Sequence, residues 1–394
     1  MRNIYLDYNA TTPVDPEVVE AMLPFFGQKF GNASSAHSFG REAKVALENA
    51  RELAADLLGC EPSEIVFTGG GTEGDNLCLK GGARSQLARR NGVVISTIEH
   101  SAIRDSARAL PPEGCICQEV GVSREGFVDA TALRGLVTET TSLVSIMHAN
   151  NEIGAVQDIA SLATIVHERG ALFHTDAVQS FGKIPVNVAA LGVDFLTLSA
   201  HKIYGPKGVG LVYVKSGSRL APMTHGGSQE KGRRTGTENV ALIVGLATAM
   251  KIAVAKLDSE FRRMSELSER FLSKVRSTIP EVTLNGPELV AGRVTRTPSS
   301  VNLSFSGVEG EPLLLSLDLE GIAVSSGSAC HAGAVDPSHV LLGIGCSPDA
   351  ARSSVRFSLG RYTTVEEIDH VCAVLPPIIE RLRQMSPNYA RAAR

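Results

Sequence analysis

Between residues 40 and 255, short apolar runs rich in β-branched residues alternate with longer stretches whose apolar positions recur at intervals of three and four. The short runs fit buried strands and the longer ones fit amphipathic helices. The alternation therefore predicts an α/β unit built on a largely parallel sheet. The clearest helix spans residues 38–58, where Ala43, Ala46, Leu47, Ala50, Leu53, Ala54, Leu57 and Leu58 mark one face. Ser38 can cap it and Gly59 can stop it. Strands are predicted at residues 65–68, 93–96, 143–147, 172–173, 195–198 and 209–214, each ending in a polar cluster. Ligands in such sheets bind at the carboxyl ends of strands, so those clusters are where chemistry is sought.

The pattern changes beyond residue 239. A long helix, broken once, is predicted over residues 239–279, because no proline interrupts the helical period before Pro280. Strand-like pieces at 300–305 and 355–359 and a helix at 364–385 then fit a smaller α+β region. The expected division is a large domain over residues 15–255 and a small one made of residues 1–14 and 256–394. Residues 386–394 are expected to fray, and no internal repeat is visible.

Composition narrows the class. At roughly 150 residues per domain, 394 residues make two or three domains, enough for a sizeable core. Lys and Arg (38) nearly balance Asp and Glu (42), so no global basic footprint points to nucleic acid or an anionic membrane. No apolar run approaches the ~18 residues of a membrane span, and the N-terminus lacks a secretory pattern, so a cytoplasmic protein is expected. The seven cysteines are odd in number and scattered, which fits reduced thiols rather than a disulfide framework. Cys115-Ile116-Cys117 lacks a second ligand pair, so no metal site is expected.

Four polar sites matter most. Gly69-Gly70-Gly71-Thr72-Glu73-Gly74 follows a strand and opens a helix, which suits a phosphate, although an ordinary glycine-rich turn reads the same way. Its match to a dinucleotide fingerprint is weak, because no acidic residue lies near Val94. Lys202 follows the strand ending at Leu198, where partial desolvation would suit a Schiff-base lysine. Asp176 ends another strand, and His100 follows a further one. Alone, these would be a surface lysine, a helix cap and a loop histidine. Together they supply what pyridoxal 5'-phosphate needs: a phosphate cradle, an amine for its aldehyde and an acid for its ring nitrogen.

Tyr5-Leu6-Asp7-Tyr8-Asn9-Ala10-Thr11-Thr12, Gly70-Gly71-Thr72, His148-Ala149-Asn150-Asn151-Glu152-Ile153-Gly154, the Asp176 and Lys202 segments, residues 233–239, Ser326-Gly327-Ser328-Ala329-Cys330 and residues 356–361 follow one another along the chain. In this order they resemble the NifS/IscS-like cysteine desulfurases, in the class V aminotransferase group of pyridoxal phosphate enzymes. The resemblance implies a fold type I α/β architecture. It makes Lys202 the lysine that binds the cofactor covalently, Asp176 the partner of the ring nitrogen, Gln179 a donor to the ring hydroxyl and His100 the stacked, proton-handling residue. Gly71, Thr72, Ser199 and His201 would hold the phosphate, and Thr237 would reach it across a homodimer interface. Asn151 and Arg356 would bind the substrate carboxylate.

Cys330 would be the nucleophile. Small and polar neighbours on both sides and the adjacent His331 suit an accessible thiolate, whereas Cys346 is the next candidate. The implied reaction turns L-cysteine into L-alanine and leaves a persulfide on Cys330 for a sulfur-acceptor protein, in iron-sulfur cluster or other thio-cofactor biosynthesis. Selenocysteine lyase is the close alternative, since an Ala-Cys-His string resembles the lyases. An NAD-dependent oxidoreductase and a scaffold without turnover are the remaining readings. The C-terminus lacks the extension with which housekeeping desulfurases dock an iron-sulfur scaffold, which leaves the acceptor open.

Overall fold

The computed structural model describes residues 3–326, 337–386 and 389. After a two-residue strand, β1 (Ile4–Tyr5), seven strands form the central sheet. They are β2 (Ile65–Thr68), β3 (Gly92–Ser96), β4 (Ile116–Val120), β5 (Thr141–Ser145), β6 (Leu172–Asp176), β7 (Phe195–Ser199) and β8 (Gly210–Val214). Their spatial order is β2-β8-β7-β6-β5-β3-β4. Strands β4, β3, β5, β6 and β7 pair in parallel, and β8 runs antiparallel to both neighbours. The short link from β7 to β8 carries only a turn, and parallel pairing would need a full crossover.

The expected α/β architecture is present, with two differences in its elements. Strand β4 escaped the periodicity because it is an edge strand with Ile116, Gln118 and Glu119 turned outward. The helix behind the glycine loop runs from Gly71 through a π-helical turn at Leu77–Gly81 to Gln86, longer than its glycines suggest. The helix Ser38–Leu58 matches its apolar stripe, and Gly59 ends it in the left-handed region at φ 73°. The predicted long helix is two, Val240–Ala255 and Leu257–Thr278, bent by 68°. Among the described residues no single helix is long and apolar enough to cross a membrane.

Both faces of the sheet are covered. Leu47, Phe173, Leu196 and Leu246 belong to the core on one side, and Leu79, Val93, Phe195 and Val212 to that on the other. A third core gathers Ile4, Leu6, Phe271, Phe305, Phe357 and Ile368 around a smaller sheet. That sheet contains β9 (Val282–Leu284), β10 (Ser300–Phe305), β12 (Ser325–Ser326) and β13 (Ser354–Ser358), while β11 (Ile322–Ala323) pairs in parallel with β1. The terminal helix Val365–Met385 starts on a capping box of Thr364 and Glu367 and passes through Pro376 and Pro377.

Sheet register sets out the site. Asp176 pairs with Thr197, and Gly210 is opposite both Ser199 and Thr68. The carboxyl ends of β2, β6 and β7 therefore share one edge, and the segments after them, residues 69–72, 176–179 and 199–202, face one cleft.

Candidate active site

The glycine loop is shaped for close approach. Gly70 adopts φ 150°, and a Cβ at Gly71 would lie 3.0 Å from Val178 Cγ2 and 3.4 Å from Ser199 Cβ. A side chain there would crowd the wall, so glycine keeps the helix N-terminus open beside Ser199. Thr72 is exposed in the first helical turn. His201 bonds through Nδ1 to Thr11 Oγ1 at 3.1 Å, and burial, with Lys202 and Lys207, holds it down at about 4, so it is a neutral ring.

Asp176 is only 5% exposed. Its Oδ1 accepts from the Val178 N–H at 2.8 Å, and it has no ion-pair partner among the described residues. Burial raises its pKa, while His100, the Val178 N–H and Lys202 oppose that rise. Behind it lie two further buried carboxyls. Burial pushes Glu99 up to about 8, despite bonds from Ser96 Oγ and the Met147 N–H. Burial and Asp176 together raise Asp75 well above the carboxylate range. Of the three, Asp176 is the one whose rise is opposed by Lys202 and His100, and it has no ion pair among the described residues.

Lys202 donates to the carbonyls of Asn9 at 2.6 Å and Ala10 at 2.7 Å. Burial and Arg356 pull its pKa down to about 8, against the pull of Asp176 and Asp7. His100 caps the helix Ser101–Arg108, accepting from the Ala102 N–H through Nδ1 at 3.1 Å, which leaves Nε2 as its remaining ring nitrogen.

A hydrogen-bonded path joins Lys202 to the other side of the cleft. Asn9 Nδ2 donates to the Asn151 carbonyl at 3.1 Å, and Arg356 Nη1 donates to the same oxygen at 3.0 Å. Arg356 Nη2 pairs with Asp7 at 2.8 Å, while its buried Nε has no partner among the described residues. Lys202, Asn151 and Arg356 are thus brought together. Thr237 is not: it is exposed in the loop before Val240–Ala255 and hydrogen-bonds to none of these residues. That loop is tied to the cleft by Arg234 Nε on Glu73 at 2.9 Å and by buried Glu230, which grips Arg51 and the Phe67 N–H.

Cys330 and His331 lie outside the described residues. Burial raises the pKa of all six described cysteines, to about 11 for Cys117 and Cys372 and about 12 for Cys60. Cys346, the second candidate, is buried with Sγ on Asn285 Oδ1. None of these six is a thiolate at neutral pH. Asn9, Glu99 and Glu152 were visible within motifs, but their sequence context assigned them no task. Lys183 was missed, and its only signal was an i,i+4 spacing from Gln179.

An amine of lowered pKa, a buried carboxylate without a counter-ion and an open helix N-terminus meet at the carboxyl edge of a mostly parallel sheet. That donor set fits an aldehyde, a protonated ring nitrogen and a phosphate, and so defines a pyridoxal phosphate enzyme of fold type I. The comparisons with known proteins agree. The family model described as Aminotransferase class-V matches residues 4–371. A protein of Dictyoglomus turgidum named cysteine desulfurase IscS is 48% identical over 98% of this chain and 97% of its own length. A solved NifS-like protein superposes with a TM-score of 0.88 at 38% identity, covering 97% of this chain and 99% of that one. A structure described as SspA in complex with cysteine does so at 0.79 and 35% identity, covering 92% and 100%. This chain belongs to the class-V aminotransferase family, and its cofactor is pyridoxal 5'-phosphate.

Proposed function

We propose that this protein is a cysteine desulfurase, converting L-cysteine to L-alanine and passing the sulfur to Cys330 as a persulfide. The observation that carries this reading is the Lys202–Asn9–Asn151–Arg356 path, which sets an amine and a carboxylate-binding guanidinium on facing sides of one cleft. The named relatives are desulfurases, which favours this reading over selenocysteine lyase. Purified protein given L-cysteine should release alanine, with a higher kcat/KM for cysteine than for selenocysteine. No alanine, or a strong preference for selenocysteine, would overturn the reading.

The bound cofactor supplies an electron sink for the α-carbon, and the chain does the rest. Thr72, Ser199, His201 and the Gly71 end of the helix would hold the phosphate. Asp176 would pair with the ring nitrogen, Gln179 would donate to the ring hydroxyl, and His100 would stack on the ring and handle protons. Asn151 and Arg356 take the substrate carboxylate. Lys202 as free amine removes the α-proton and returns a proton to the product. Cys330 Sγ, as thiolate, attacks the substrate sulfur: an S–S bond forms, the C–S bond breaks with its electron pair left on carbon, and protonation of that carbon completes alanine.

Two features support the Cys330 assignment. The described cysteines are all held as thiols, and two described residues on either side of Cys330 in the chain, Ser325 and Ser338, make contacts beside the cleft. Ser325 pairs with Arg356, and Ser338 Oγ donates to Glu152, next to Asn151. Cys330 follows Ser326 by four residues, a span of at most about 14 Å.

The smaller unit, residues 1–14 and 256–394, contributes Asn9, Arg356 and the Cys330 segment, and residues 15–255 contribute the cofactor cradle. A homodimer fits the exposed apolar residues Leu23, Phe26, Phe30 and Phe39 and the outward position of Thr237, which would complete the partner's phosphate site. A cytoplasmic enzyme serving an acceptor of iron-sulfur or other thio-cofactor synthesis is consistent with this chemistry.

Two measurements follow. Arg356→Gln removes the charged donor, so KM for cysteine should rise about 10- to 100-fold with a smaller change in kcat, as loss of a charge-assisted bond implies. An unchanged KM would move the carboxylate site elsewhere. The rate at which apoprotein captures pyridoxal phosphate should climb between pH 7 and 9 and level off above, because only unprotonated Lys202 is nucleophilic and its pKa is about 8. Stopped-flow absorbance reads this, and a flat profile would contradict it.

A further inference from the structure

The turn after β6 holds Lys183, a buried lysine that the proposed reaction does not use, in contact with residues that it does. Lys183 Nζ donates to Gln179 Oε1 at 2.6 Å and to Asn9 Oδ1 at 2.9 Å. Gln179 Nε2 donates to the Asn9 carbonyl at 2.9 Å, the same oxygen that accepts from Lys202. The turn is tight enough to fold Lys183 back onto Gln179. Its backbone N–H bonds to the Ser180 carbonyl at 3.0 Å, and Gly182 lies at φ 72°, where a Cβ would come within 2.8 Å of Ala253 Cβ.

A glutamine amide presents a donor at one end and an acceptor at the other, and a flip exchanges them. Both neighbours of Gln179 restrict that choice. A backbone carbonyl only accepts, so the atom facing Asn9 is Nε2, and Oε1 is left to accept from Lys183, whose ammonium can only donate. One Nε2 hydrogen serves Asn9, and the other has no partner among the described residues. Burial, with Lys202 and Arg356 as like charges, lowers Lys183 to about 7. As ammonium or as amine it still has N–H groups to donate, so the bond to Oε1 survives on both sides of neutrality.

We propose that Lys183 is a positioning residue for the cofactor: it locks the Gln179 amide in the one orientation that leaves an N–H free for the ring hydroxyl. The proposal rests on the pyridoxal phosphate reading of the cleft and adds a residue to it. Lys183 itself touches no reacting atom.

The test is a double-variant cycle on apoprotein, read by the Kd for pyridoxal phosphate from fluorescence quenching and by the midpoint of the visible band's pH titration. Lys183→Met should weaken binding about tenfold, the effect of one hydrogen bond, and shift the midpoint. Lys183→Arg, which keeps a donor, should recover most of both. Gln179→Leu should lose about as much as Lys183→Met, and the double variant should lose no more than either. Should Lys183→Met not fold, Lys183→Gln takes its place in the cycle. Wild-type Kd and midpoint in the lysine variant, or losses that add in the double variant, would overturn the proposal. A wild-type protein that takes up no pyridoxal phosphate would instead remove the reading beneath it.

Discussion

Lys202→Ala is expected to leave a folded, colourless protein whose alanine formation from cysteine falls by more than about a thousandfold. The loss combines two tasks in one amine, covalent capture of the cofactor and transfer of the α-proton, and general acid–base work alone is worth about 10² to 10⁴. Lys183 lies in the same neighbourhood and also has a lowered pKa, but its nitrogen is bonded to Gln179 and Asn9. Borohydride reduction followed by peptide mapping should therefore label position 202 in the wild type and nothing in the variant. A variant that keeps its visible band and its turnover would show that another amine does the work.

Cys330→Ser should separate the two halves of the reaction. The cofactor spectrum should be that of the wild type, because no cradle residue is altered, while alanine formation falls by about 10³ or more. A hydroxyl is not ionised at neutral pH and cannot take sulfur as a thiolate does, so the advantage of a positioned nucleophile is lost. Mass spectrometry of the intact wild type after cysteine should show one extra sulfur, removable by thiol, and the variant should show none. Persulfide found on Cys346 or another described cysteine would contradict the assignment, since those thiols have raised pKa values.

Much of this arrangement is legible in the residue pattern alone. Buried strands such as β5 and β7 and the striped helix Ser38–Leu58 declare themselves because burial dictates their residue pattern. Strand β4 did not, because an edge strand needs little apolar surface. Gly71, Gly74, Gly81 and Gly82 concealed how far the helix after the glycine loop extends, since its packing against Val178, Thr197, Leu220 and Phe195 demands small residues that intrinsic propensity disfavours. Lys202 and Asp176 were readable as strand-end residues and became persuasive through their company. The link from Lys202 to Arg356 through Asn9 was not readable, because it depends on two backbone carbonyls brought together by tertiary structure. Lys183 was hidden for the same reason.

The Asn9 amide also reaches Ser358 Oγ, 349 residues further along the chain, and its side chain reaches Ser300. A hub made by the first strand's neighbour and the last one sets a schedule for biosynthesis. While the ribosome is still short of residue 358, the nascent polypeptide can form its glycine loop and central sheet, but the Asn9 knot beside Lys202 stays untied. The hub beside Lys202 is thereby deferred until residue 358 has been made.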